Sequence, residues 1–228
     1  MPTIHHDPRY PAADFDEPEP YGLIYLGIAV DPPRRVPFVR GSAQRDDAIE
    51  EYKAFARQLE EDGNVVEATV YEAVLIPPIT GGPRFDVAVL IRTTTPDTIA
   101  AVQKAAPYLR FNADFAMAAR NIRRIGETDR TSAGTFLFNH FTAADPEGAV
   151  AVWENLTGWY TRETGVDNST LLQPVDGSKF AFVNYVRLPT GPVRFLLSQF
   201  AKPSFFRHVR GHLRSNGMAA MPIMARIA

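Results

Sequence analysis

The sequence contains no cysteine among its 228 residues. That absence excludes a disulfide scaffold, a thiol nucleophile, an iron–sulfur cluster and a cysteine-ligated zinc site. No apolar run approaches the roughly 18 residues of a membrane span, so no membrane partner is expected. The opening Met1-Pro2-Thr3-Ile4-His5-His6-Asp7 lacks the basic and apolar regions of a secretory signal, and the chain reads as cytoplasmic. There is no excess of positive charge: Lys+Arg number 24 against 26 Asp+Glu, a formal net charge of −2. A nucleic-acid partner, which needs a basic footprint, is therefore not expected. Gly81-Gly82 falls between two strand-like runs and lacks the spacing of a dinucleotide loop, and no Gly-x-Ser-x-Gly elbow exists for a hydrolase.

What is present falls into a tail and two similar halves. Residues 1–20 hold five prolines and five acidic residues with little apolar periodicity, which reads as a disordered or extended N-terminal arm with His5-His6 solvated. From residue 21 the pattern is β-α-β-β-α-β. Gly22–Val30 is a strand, Asp46–Asp62 a helix with Asp46 as N-cap, Val65–Ile76 and Phe85–Thr94 two strands, Thr98–Leu109 a helix and Phe115–Gly126 a strand. After a short polar linker near Thr128–Ala133 the order repeats. Thr135–Phe141 is a strand, and Asp145-Pro146 opens a helix that Gly165 closes. Ser169–Gln173 and Lys179–Leu188 are strands around Asp176-Gly177, Val193–Phe200 and Ser204–Asn216 are helical around Pro203, and Pro222–Ala228 is a short strand. The expected fold is α+β: two tandem ferredoxin-like units, 21–128 and 134–228, packed sheet to sheet as a pseudo-dimeric α+β barrel.

Three stretches carry a resemblance: Leu137-Phe138-Asn139-His140-Phe141, Trp153-Glu154, and Phe180-Ala181-Phe182-Val183-Asn184-Tyr185, joined by Lys202-Pro203-Ser204-Phe205-Phe206-Arg207. Together they resemble the antibiotic-biosynthesis-monooxygenase family of the dimeric α+β barrel superfamily, over about residues 134–228. The resemblance implies a cleft between helices and sheet for a flat aromatic substrate. It implies an oxygenase acting with O2 on a polyketide-type polycycle, by hydroxylation, quinone formation or ring opening. Members include cofactor-free anthrone oxygenases and haem-degrading enzymes, and two-unit chains resemble the angucycline ring-opening oxygenases. The cofactor expected is accordingly none tightly bound, or reduced flavin (FADH2 or FMNH2) as co-substrate, with haem as the alternative. A flavin reductase and a second copy of the chain are the protein partners to be considered, and a non-catalytic ligand-binding module is the non-enzymatic alternative.

Asn139 heads the candidate residues, since the family places an asparagine of this strand in the cleft. Strand alternation puts Leu137, Asn139 and Phe141 on one face and Phe136, Phe138 and His140 on the other. His140 is a general-base candidate if it lines the pocket and a core histidine if it does not. His208 and His212 share a helix face, but two imidazoles without a third ligand do not make a metal site. His212 is carried as a catalytic candidate and His208 as a substrate contact. Arg210 and Phe200 stand near the positions where the haem-degrading members have histidine and tryptophan, a departure from haem degradation that leaves His212, two residues from Arg210, as the candidate axial ligand. Trp153 and Tyr160 share a helical stripe with Leu156, and with Phe200 and Tyr185 they are the candidate walls of the substrate site. Unit one has Ile24-Tyr25-Leu26-Gly27-Ile28 where unit two has its amide and imidazole, so the cleft is expected in unit two.

Overall fold

A computed structural model describes residues 2–128 and 133–228; residues 129–132, the middle of the expected linker, lie outside the described residues. The first half supplies β1 (Gly22–Ile28), α1 (Ala43–Glu60), β2 (Val65–Leu75), β3 (Val87–Thr93), α2 (Ile99–Val102), α3 (Ala106–Leu109) and β4 (Phe115–Ile125). The second supplies β5 (Thr135–Ala143), α4 (Pro146–Thr164), β6 (Ser169–Pro174), β7 (Phe182–Leu188), α5 (Pro192–Phe200), a π-helical stretch (Phe205–Arg210), α6 (Gly211–Ser215) and β8 (Met218–Ile227).

All eight strands close into one antiparallel barrel in the order β1-β3-β2-β8-β5-β7-β6-β4. Each half contributes four adjacent strands in the same relative order, β4-β1-β3-β2 and β8-β5-β7-β6. The halves are hydrogen-bonded edge to edge at two seams, β2 with β8 and β4 with β6. Closure leaves no open sheet edge among these strands.

Continuous apolar runs in β1, β3 and β7 follow from this arrangement, because these strands are covered on both faces. In β1 every residue is buried. Leu23 and Tyr25 point into the barrel, while Ile24, Leu26 and Ile28 pack outward beneath α1. The barrel interior is filled by aromatic side chains, including Tyr25, Tyr71, Phe136, Phe138, Phe180 and Tyr185. Two polar contacts cross it from half to half: the Tyr71 and Tyr185 hydroxyls lie 2.7 Å apart, and Tyr25 Oη lies 3.0 Å from His140 Nε2.

Several boundaries differ from the sequence pattern for local reasons. The helix expected over Thr98–Leu109 is two single turns, because Pro107 cannot continue a helical hydrogen-bond ladder. α1 begins at Ala43 after Ser42, ahead of the expected cap at Asp46. β8 begins at Met218, ahead of Pro222, which is held inside the strand. α4 starts as expected: the Asp145 side chain accepts the Gly148 N–H at 3.0 Å, and Gly165 ends the helix with φ 74°.

Residues 2–20 run extended across the helices of the second half and end against β4 of the first, where Asp16 bridges Arg124. α4 is buried nearly all round, Trp153, Asn155, Leu156, Thr157, Gly158 and Trp159 in close succession, so its outer side needs a cover as well as its sheet side. The arm provides it, and Ile4, Tyr10 and Phe15 join the same cluster as Leu156 and Trp159. The Ala13 N–H donates to Thr157 Oγ1 at 2.9 Å, the Glu19 N–H to Asn121 Oδ1 at 3.0 Å, and the Thr3 N–H to Asn216 Oδ1 at 2.7 Å. A Cβ added at Gly158 would sit 1.8 Å from the Pro11 carbonyl oxygen, so only glycine lets the arm cross here. His5 is not simply solvated: its backbone meets His212 Nε2.

Candidate functional site

The two halves treat the space between helices and barrel differently. In the first, Ile49, Phe55 and Leu59 of α1 pack directly on the outward side chains of β1–β3, with Phe111 filling the remainder. In the second, α4, α5 and the π-helical stretch stand off the sheet and enclose a pocket of about 650 Å³. That volume suits a small organic molecule. α5 ends at Phe200, Pro203 opens the next helical segment, and the wider π-helical stretch follows, a geometry often found beside functional sites. The Trp159 Nε1–H donates to Ser204 Oγ at 3.0 Å and fixes where that stretch begins.

The floor of the pocket is the outer face of β5, β7 and β8. Leu137, Asn139 and Phe141 come from β5, Asn184 and Val186 from β7, and Pro222 and Met224 from β8. Asn139 is in register with Asn184 on one side and with Pro222 on the other, so two side-chain amides stand next to each other. The Ser169 hydroxyl donates to Asn184 Oδ1 at 2.5 Å. Asn139 Oδ1 is buried and has no hydrogen-bond partner among the described residues. A buried amide oxygen left unmet costs about 1–3 kcal/mol, which a donor group on a guest would relieve. The walls are Trp153 and Tyr160 of α4, Phe195 and Phe200 of α5, and Phe205. Burial pushes the Tyr160 phenol well up, so it stays protonated and can only donate or accept as a neutral hydroxyl. Gln199, buried on the inner side of α5, and Arg210 complete the polar set. Among the described residues the lining contains no carboxylate and no imidazole.

Four of the sequence candidates therefore meet in one place: Asn139, Trp153, Tyr160 and Phe200. Four do not, and these are corrections. His140 points into the barrel, as its place one step from Asn139 dictates. Its Nδ1 faces the Met221 carbonyl at 3.0 Å and so carries the proton, leaving Nε2 to accept from Tyr25. Burial, with Lys179 adding to it, lowers its pKa to about 4. Tyr185 is likewise inside the barrel, one step from Asn184. His208 and His212 lie on the side of their helix that faces the arm, while Val209, Arg210 and Leu213 of the same segment line the pocket. His212 Nδ1 is bonded to the His208 carbonyl and its Nε2 lies 2.9 Å from the His5 carbonyl. The His208 ring packs 5.0 Å from Tyr10, and burial followed by the nearby His212 lowers its proton affinity. Both imidazoles fasten the arm. Ser169, Gln199 and Arg210 were not among the expected site residues, and of the neighbours Asn184 and Tyr185 the pocket takes Asn184 rather than the phenol. Asn184 follows from Asn139 once the β5–β7 register is known, and Gln199 is the polar residue one turn beyond Phe195.

Haem does not fit this donor set. Its iron needs an axial imidazole, thiolate or phenolate, but the histidines face elsewhere and burial holds Tyr160 neutral. A resident flavin nucleotide fits no better, because the phosphates would find Arg210 as the one cation of the lining among the described residues.

No family model matches the chain, and no curated protein matches it in sequence. Solved structures do. An anthrone oxidase-like protein superposes with a TM-score of 0.65 at 8% identity, covering 92% of each chain. A Fusobacterium nucleatum protein provisionally assigned as a monooxygenase gives 0.53 at 8% identity over 90% of this chain and 91% of that one. A variant of the chlorite dismutase from Candidatus Nitrospira defluvii gives 0.51 at 10% identity over 91% and 90%. At such identities the likeness is one of fold.

Proposed function

We propose that this protein is an oxygenase that converts a flat, phenolic polycycle with O2 in the second-half pocket, without a resident cofactor. The observation that carries the reading is Asn139: an amide with an unmet buried oxygen, beside Asn184, on the floor of an aromatic-walled pocket. The shared fold with an oxidase-like protein supports it. So does the repeated strand order, which we read as two ferredoxin-like units, 21–128 and 134–228, forming a pseudo-dimer within one chain.

The chemistry needs little from the protein. An anthrone-type methylene, acidified by its flanking rings, ionises; the carbanion passes electrons to O2 and forms a carbon–oxygen bond. Loss of water from the resulting hydroperoxide leaves a quinone carbonyl, so one oxygen atom stays on carbon and the other departs with both methylene hydrogens. With no base among the described lining residues, the proton leaves to water at the mouth, near Arg210. Asn139 Oδ1 accepts from a phenol hydroxyl of the substrate, the Nδ2–H groups of Asn139 and Asn184 donate to the substrate oxygens on which charge develops, and the apolar walls keep water from the rest of the ring system. The test is oxygen consumption and product analysis with anthrones and naphthols, with and without a reduced-flavin supply. Turnover without flavin is expected, and Asn139→Ala should lower it by roughly 10²–10³. Absence of oxygen uptake on every such substrate would overturn the reading, as would full activity in Asn139→Ala.

A further inference from the structure

Ten large apolar side chains stand well exposed among the described residues, and six of them gather at one place. Phe38, Ile79, Val193, Leu197 and Phe200 are exposed and also line the pocket, so they mark its mouth. Phe206 adjoins them, its ring 6.5 Å from Phe200. Soluble surfaces seldom concentrate apolar groups in this way without a partner. The charge of the C-terminal segment that carries Val193, Leu197, Phe200 and Phe206 is equally uneven. All 26 acidic residues lie within residues 1–176, whereas 177–228 carries eight Lys and Arg and no Asp or Glu. Lys202 is paired with Glu163 at 3.0 Å. Arg194, Arg207 and Arg214 are exposed and face no carboxylate among the described residues. Arg194 is three residues from Leu197, and Arg210 lies over the Phe206 ring and one turn from Arg214. Along residues 194–214, exposed guanidinium groups thus stand on both sides of the exposed Leu197, Phe200 and Phe206 in sequence.

We propose that this mouth seats on an anionic lipid surface. Leu197, Phe200 and Phe206 enter the boundary between headgroups and acyl chains, and Arg194, Arg207 and Arg214 meet lipid phosphates. The lack of a spanning segment does not bear on this, since surface seating needs an apolar tip and flanking cations rather than length. The apolar side chains that enter the lipid are continuous with those lining the pocket. An apolar ligand dissolved in the bilayer therefore reaches the Asn139 floor without crossing water. An acidic protein surface would match the charge but leaves the apolar tip and its continuity with the pocket without a purpose.

The experiment is flotation of the full chain with two kinds of vesicle, phosphatidylcholine alone and phosphatidylcholine with about 30% phosphatidylserine. The protein is expected to float with the second and not the first, and to be released at about 0.5 M salt. The triple variant R194E/R207E/R214E, whose positions are outside the pocket lining, should lose at least about tenfold in partition while keeping its circular dichroism. Phe206→Ser should weaken partition at unchanged charge. Failure of the wild type to float overturns the proposal, as does equal flotation of the triple variant. A concentration-dependent dimer that Phe206→Asp disperses, with no flotation, assigns the face to a second copy and overturns it too. Flotation measures no turnover, so its failure leaves the oxygenase reading standing, and the reverse holds as well.

Discussion

One step along β5 separates the residue that faces the pocket from the residue that faces the barrel interior, and the two have opposite needs. Asn139 carries an unmet acceptor, so shortening it removes a cost rather than a bond. Asn139→Ala should leave the unfolding free energy within about 1 kcal/mol of the wild type even as turnover collapses. His140 is satisfied on both ring nitrogens as the neutral imidazole. An unfolded histidine takes up its proton near 6.5, whereas His140 holds out to about 4. Between those values the unfolded chain binds more protons than the folded one, so stability is fully present above about 6.5 and falls as the pH drops toward 4. The interval corresponds to about 3 kcal/mol, with His208 adding in the same direction. Urea midpoints at pH 4.5 and 7.5 should differ less in His140→Gln than in the wild type; equal differences would contradict the assignment. This much was legible in the sequence, because alternation alone sorts Asn139 from His140. The helical pair was not. The spacing of His208 and His212 says that they share a face, but not that the face turns toward an arm two hundred residues away in sequence.

At the scale of elements, the arm and α4 act as one unit. Composition leaves residues 1–20 disordered or extended; residues 2–20 are extended and packed, because three apolar side chains suffice when the surface they cover is already formed. The crossing point is set by Gly158, against whose Cα the Pro11 carbonyl lies too close for a methyl group. Gly158→Ala is expected to cost about 1–3 kcal/mol through forced displacement of the arm. It should also expose the segment around Arg9 to trypsin at native temperature. Wild-type protease resistance in that variant would show that α4 rather than the arm gives way. Strand positions were legible because they are long apolar runs bounded by turn residues. The offset of α5 from the sheet, which creates the pocket, was not. It depends on Pro203 and on how the π-helical stretch rests against Trp159, neither of which a periodicity records.

For the whole molecule, the strand order follows from the repeated β-α-β-β-α-β pattern, while the two seams that close the barrel do not. Each half alone would present two unpaired strand edges and an aromatic sheet face. A fragment of residues 134–228 should therefore self-associate in sedimentation, and a stable monomer of it would speak against the two-unit reading. The seam between β2 and β8 also has a meaning for biosynthesis. β2 ends at Leu75 and β8 begins at Met218. At ordinary elongation speeds, on the order of ten seconds or more pass between them on the ribosome. Through that interval the edge of β2 has no strand to pair with, and Tyr71 waits for the hydroxyl of Tyr185. The nascent first half is thus a template without its complement, and a chaperone that shields an open β-edge would act on this chain before its final strand has been made.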